Sequence, residues 1–162
     1  MSLSRPGAAF VFSHPAHVLA FGFGAGLAPF APGTAGTLVA WAIGAALLVW
    51  WPPQALLALA GVLFIAGIWA CEVTSRHLGV ADHGALVWDE IVAFLLVLAM
   101  VPDELAWQGA AFVAFRFFDI AKPQPIRYFE KRYGGGFGVM FDDLLAAGYT
   151  LLALALVSKA LS

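Results

Sequence analysis

Apolar runs of bilayer length constrain this chain more than any other feature in it. A helix that crosses the hydrocarbon core needs about 20 mostly apolar residues, with about 17 as a lower bound. Ala35 to Trp51 is one such run and Gln54 to Cys71 a second, joined through Trp50-Trp51-Pro52-Pro53, a tight turn with tryptophans suited to a membrane interface. Ala85 to Val101 is a third run, with Asp89 and Glu90 in its first turns. Pro102-Asp103-Glu104 turns the chain into a fourth, short run from Leu105 to Phe118 that contains Arg116, and Asp142 to Val157 is a fifth, opened by two aspartates. The pattern predicts an all-α, polytopic transmembrane bundle of about four to five membrane-embedded helices, with the third and fourth runs as a hairpin packed inside it. Hydrophobic residues make up 62% of the chain and charged residues 11%. Soluble domains hold about 45–50% and about 25%, so a soluble, very apolar helical protein is the weaker alternative. The 162 residues carry no internal repeat or linker and read as a single domain, 1–162.

Loop charge orients the bundle. With five spans, one side holds the N-terminal segment and the loops at 72–88 and 119–141, with Arg5, Arg76, Lys122, Arg127, Lys131 and Arg132, and Arg116 near its edge. The other side holds only Lys159. Positive residues mark the cytoplasmic face. Eight of the ten acidic residues fall on that same side, all except Asp103 and Glu104. The net charge of −2 excludes a nucleic-acid partner, which needs a basic surface. The one cysteine, Cys71, rules out an internal disulfide and reads as packing. Pro6, His14, Pro15 and His17 interrupt the N-terminal segment, so no cleavable signal peptide is expected.

Four segments carry the chemistry. Gly22-Phe23-Gly24-Ala25-Gly26-Leu27-Ala28-Pro29 and Pro32-Gly33-Thr34-Ala35-Gly36-Thr37 immediately precede the first long helix. Glycines let backbone N–H groups approach an anion, and a helix N-terminus adds partial positive charge; Thr34 or Thr37 could cap the helix or contact a phosphate oxygen. The bland alternative is a flexible entry loop. Asp82-His83-Gly84 through Trp88-Asp89-Glu90 brings two adjacent carboxylates into an apolar run, and Asp82 and Asp89, seven apart, share a face if one helix covers both. Such acids are costly in a membrane unless compensated. A hard divalent cation would compensate them, and Mg²⁺ commonly uses one or two carboxylates plus substrate phosphate. Arg116, Asp119 and Lys122 are spaced along one helix face that Pro123 ends, giving a carboxylate between two cations suited to phosphate oxygens. Gly134-Gly135-Gly136-Phe137-Gly138 then leads to Asp142-Asp143, a flexible approach before paired carboxylates. His14, His17, His77 and His83 share no ligand spacing, although His83 could assist protonation. Acids, cations and small residues together suit metal-assisted phosphoryl chemistry at a membrane.

At these segments the chain resembles the phosphatidylglycerophosphatase A family. The resemblance runs from Gly22-Phe23-Gly24 through Pro32-Gly33-Thr34-Ala35-Gly36-Thr37, Asp82-His83-Gly84 and Trp88-Asp89-Glu90, Phe115-Arg116 with Asp119, Lys122-Pro123 and Pro125-Ile126-Arg127, to Asp142-Asp143 and Ala147-Gly148. It departs at Ala85, where serine is expected, and at Ala93, where glycine is expected. It implies a multi-pass, Mg²⁺-dependent phosphatase of the bacterial inner membrane that hydrolyses phosphatidylglycerophosphate to phosphatidylglycerol and phosphate in glycerophospholipid synthesis. The expected metal ligands are Asp89, Glu90, Asp119, Asp142 and Asp143. Asp82, Asp89, Glu90 and Asp119 are the expected catalytic groups, with Asp82 as base or outer ligand. Gly33, Thr34, Thr37, Arg116, Lys122 and Arg127 are the expected phosphate contacts, on the cytoplasmic side. A lipid-headgroup phosphotransferase is the alternative enzyme. A cation-coupled transporter is the alternative outside enzymes, and it would spread its acids through the bilayer depth. The sequence leaves the oligomeric state open.

Overall fold

A computed structural model describes residues 6–162, and helices account for every regular element among them. Arg5, counted above on the positive side, lies outside the described residues. Two short helices, α1 (Ala8–Val11) and α2 (Pro15–Ala20), lead into a 3₁₀ segment at Gly22–Leu27. The long elements follow: α3 (Pro32–Leu48), α4 (Pro53–Leu78), α5 (Trp88–Leu98), α6 (Leu105–Ala121), the short α7 (Ile126–Arg132), and α8 (Gly135–Leu161).

The helix boundaries follow local chemistry. Pro15, Pro32 and Pro53 each occupy a first helical position, where their missing N–H costs nothing and their fixed φ fits. Gly79, at φ 69°, ends α4. Its amide donates to the Arg76 carbonyl and that of Val80 to Ser75, so a left-handed glycine closes the last turn. Lys122 ends α6 at φ 42°, and Pro123 cannot continue the helix.

Two helices, α4 and α8, are long and apolar enough to cross a bilayer, with 26 and 27 residues. At 1.5 Å per residue they extend about 40 Å, while α3 and α6 reach about 25 Å and the 11 residues of α5 only about 16 Å. Leu57, Val62, Ile65 and Trp69 of α4, Val113 and Phe117 of α6, and Leu152 and Leu156 of α8 all point outward. An apolar exterior of this kind fits a membrane bundle. A count of four to five embedded helices goes further than these lengths support. Helix α5 is the enclosed centre: nine of its residues, from Trp88 to Leu98, are buried, and α3, α4, α6 and α8 pack around it.

Three boundaries differ from those expected. The Pro32–Thr37 stretch is the first turns of α3, not a loop before it. No helix covers both Asp82 and Asp89, because α5 begins at Trp88. Helix α8 begins at Gly135, so Asp142 and Asp143 stand two turns inside it and do not open it. Its early glycines serve contact: a Cβ on Gly136 would collide with the Ile68 carbonyl and the Glu72 amide of α4. The two longest helices therefore cross backbone against backbone. Ala93, where glycine was expected, faces a groove of about 250 Å³ beside Gly61 and Leu144, so its methyl has room.

Candidate active site

Chain direction gathers the chemistry at one end of the bundle. The N-termini of α3, α5 and α8 and the C-termini of α4 and α6 meet there. The opposite end holds the Trp50–Trp51 turn, the 99–104 turn and Lys159. Asp89 and Glu90 enter from the first turn of α5, Arg116 and Asp119 from the last turns of α6, and Asp142 and Asp143 from the third turn of α8. Asp82 joins from the loop between α4 and α5. A cleft of about 120 Å³ is lined by Asp82, Asp89, Glu90, Asp119, Lys122, Asp142 and Asp143, with Gly84, Leu86 and Val139. Its floor lies about 10 Å along α8 from Gly135, at 1.5 Å per residue, so the site is recessed.

Within the cleft, carboxylate oxygens of Asp89, Glu90 and Asp143 lie within 4.8 Å of one another. Asp89 Oδ1, Glu90 Oε2, Asp142 Oδ1 and Asp143 Oδ2 are buried and have no hydrogen-bond partner among the described residues. Buried carboxylate oxygens of this kind are costly unless something compensates them. The donors are all hard oxygens, converging and unpaired, which fits a divalent cation such as Mg²⁺ better than a soft metal.

The cations frame this acidic ring. Arg116 Nη1 pairs with Asp119 Oδ2 at 2.5 Å and approaches Glu90 Oε1 at 3.7 Å. The guanidinium Nε is buried without a partner. Lys122 Nζ donates to Glu130 Oε1 at 2.8 Å and lies 3.5 Å from Asp142 Oδ2. Partial burial works against its charge, but the Glu130 and Asp142 carboxylates outweigh that and hold its pKa above the ordinary lysine value. Because Lys122 sits past the end of α6 in a left-handed conformation, it reaches the cleft from a different direction than Arg116, not along one helix face.

Gly33 ties α3 to this arrangement. A Cβ there would overlap Glu90 Oε1 and fall 3.0–3.1 Å from both Arg116 Nη atoms, so the first turn of α3 lies directly against the Glu90–Arg116 pair. Thr37 does not turn to the cleft: its hydroxyl donates to the Gly33 carbonyl at 2.8 Å. Thr34 is half-buried in the same first turn and does not line the cleft. Arg127 is exposed and donates to the Ala121 carbonyl at 3.2 Å.

Sequence reasoning passed over two features. Glu72 Oε2 accepts from the Gly136 amide at 2.7 Å while Arg76 donates to its other oxygen, so this carboxylate caps the N-terminus of α8. His14, His17 and His77 come together with ring centroids 5.0–5.6 Å apart. His17 Nε2 lies 2.8 Å from His77 Nδ1, and its Nδ1 lies 2.9 Å from the Phe10 carbonyl. An acid six residues before the end of a long helix was the available signal for Glu72. Histidines 60 residues apart gave none.

Comparison with known proteins follows the same residues. The profile of the family described as phosphatidylglycerophosphatase A matches residues 18–158. A phosphatidylglycerophosphatase A of Haemophilus influenzae is 46% identical over 143 residues, covering 87% of each chain. One of Escherichia coli is 41% identical over 142 residues, covering 83% of this chain and 78% of its own. A Bacteroides thetaiotaomicron protein with a provisional phosphatidylinositol-3-phosphatase name is 44% identical over 141 residues, covering 83% of this chain and 87% of its own. No solved structure matches the chain.

Proposed function

The chain belongs to the phosphatidylglycerophosphatase A family, and from that premise we propose that it hydrolyses the terminal phosphate of phosphatidylglycerophosphate, releasing phosphatidylglycerol and inorganic phosphate. It is a phosphoric monoester hydrolase. The observation that carries the reading is the recessed ring of buried, unpartnered carboxylate oxygens on Asp89, Glu90, Asp142 and Asp143 beside Arg116 and Lys122. The whole chain acts as one catalytic domain. It sits in the bacterial inner membrane as a multi-pass bundle with the cleft toward the cytoplasm, a placement supported by Arg76, Lys122, Arg127, Lys131 and Arg132 at the site end against Lys159 at the other.

Asp89, Glu90 and Asp143, with Asp119 and Asp142 beside them, would hold Mg²⁺. Bound there, the cation would offset charge on the phosphate oxygens and acidify water. The protein's own groups do the rest. Arg116, fixed by Asp119 and Glu90, presents its guanidinium to a phosphate oxygen. Lys122 adds a point charge from the other side of the cleft. The N-terminus of α3, whose Gly33 packs against the Glu90–Arg116 pair, adds partial positive charge beside the same anion through the backbone amides around Gly33 and Thr34. Asp82, at the rim, takes the proton from the water whose oxygen bonds phosphorus, and as the ester P–O bond breaks it returns that proton to the departing glycerol oxygen.

The test is phosphate release from phosphatidylglycerophosphate by detergent-purified protein, with Mg²⁺ and then with excess chelator. Metal-dependent release without an alcohol acceptor is expected. Release that requires an acceptor would make the protein a headgroup transferase. No release from folded protein would remove the substrate assignment, and phosphatidylinositol 3-phosphate is the next substrate to assay.

A further inference from the structure

Beside the acidic cleft lies a second pocket that phosphate binding leaves without a role. It measures about 270 Å³ and is lined by Gly26, Leu27 and Ala28 of the 3₁₀ segment, Pro32 at the start of α3, and His83, Gly84 and Ala85, with Pro6 at its edge. That is slightly below the roughly 300–1,000 Å³ of drug-sized sites and suits a short, flexible group. The pocket adjoins the cleft at one shared residue and at the start of α3. Gly84 lines both, and Pro32 immediately precedes Gly33, which abuts Glu90 and Arg116. A group bonded to a phosphate in the cleft thus has the pocket as its adjoining space.

The lining is small and apolar except for His83. The Ala85 amide donates to His83 Nδ1 at 3.1 Å. That nitrogen must offer its lone pair, so the ring proton resides on Nε2. Nε2 has no partner among the described residues. Gly26 holds the opposite wall close, since a Cβ there would collide with the Ala85 carbonyl. A fixed N–H donor therefore stands in an apolar pocket next to the scissile position.

We propose that this pocket seats the leaving alcohol of the substrate, a short polyol esterified to the scissile phosphate, and that the His83 Nε2–H hydrogen-bonds the free hydroxyl of that polyol. The inference rests on the lipid-phosphatase reading and adds to it a basis for choosing among lipid phosphates. A site built to bond a hydroxyl discriminates against the analogue that lacks it.

The test compares phosphatidylglycerophosphate with an analogue whose headgroup hydroxyl is replaced by hydrogen, using full-length protein in detergent with Mg²⁺. The wild type is expected to favour the hydroxyl substrate by about tenfold in kcat/KM, the usual scale of one hydrogen bond. His83→Asn keeps an acceptor for the Ala85 amide but loses the distal donor. Its preference is expected to fall toward one, mainly through KM for the hydroxyl substrate, and His83→Gln, which carries a distal N–H, is expected to restore part of it. An undiminished preference in His83→Asn, or an equal loss on both substrates, would overturn the subsite while leaving the phosphatase reading intact. Failure of the wild type to release phosphate from either lipid would overturn both.

Discussion

Replacing Asp143 with asparagine should stabilise the cation-free protein while inactivating the enzyme. Asp143 is 3% exposed, and its carboxylate lies within 4.8 Å of those of Asp89 and Glu90. Two unit charges at that separation repel by about 3 kcal/mol at an effective dielectric of about 20. Asp143 takes part in two such pairs. Buried acids relieve part of this by taking up protons, so the net gain on substitution is about 1–3 kcal/mol. For a chain of this length about 1 kcal/mol shifts Tm by about 2–4 °C, which gives a rise of roughly 2–12 °C in chelator. In excess Mg²⁺ the order should reverse, because a cation that binds the folded state stabilises it and the variant has lost a ligand. Thermal unfolding followed by tryptophan fluorescence, with EDTA and with Mg²⁺, measures both shifts on one preparation, and phosphate release is expected to fall at least about 100-fold. A variant that melts below the wild type in chelator yet keeps the full Mg²⁺ shift would refute the reasoning.

Gly33→Ala should act on chemistry more than on folding: its methyl would displace the Glu90–Arg116 pair, lowering kcat/KM by about tenfold or more with Tm nearly unchanged. Glu72→Ala removes the acceptor for the Gly136 amide and should cost about 1 kcal/mol, the usual scale of an N-terminal cap, read as a lower Tm. Stability should also fall on acidification. Burial, reinforced by His77 and His14 and opposed by the Phe10 carbonyl, holds the pKa of His17 below its ordinary 6.5, so the unfolded chain takes up this proton first. The stability His17 contributes is present above pH 6.5 and lost as pH drops through the folded value. Unfolding curves of wild type and His17→Asn between pH 7.5 and 5.5 check this, the variant being the flatter of the two.

Most of the candidate site was legible because its acids interrupt apolar runs, where an unneeded carboxylate is hard to tolerate. Asp89, Glu90, Asp142 and Asp143 stand out for that reason, and Arg116 with Asp119 stands out by i, i+3 spacing. The start of α8 was not legible. Gly134, Gly135, Gly136 and Gly138 read locally as loop because glycine is a poor helix former. Packing against α4 overrides that preference, since Gly136 fits where no Cβ can. The extent of α5 was hidden for the opposite reason: apolar residues flank it on both sides, so periodicity could not show that its helix spans only Trp88–Leu98. Glu72 and the three clustered histidines depend on which helices touch, and spacing along one chain does not report that.

The shortness of α5 bears on how the protein is made. An 11-residue helix with two acids in its first turn is a poor substrate for one-at-a-time insertion into lipid. The α4 and α8 segments can each enter a bilayer on their own hydropathy, but α5 gains a favourable environment only when those neighbours surround it. In the membrane placement proposed above, the expected order of assembly is outer helices first, with the segment bearing Asp89 and Glu90 drawn in after them. Catalytic competence would then arrive only with completed assembly.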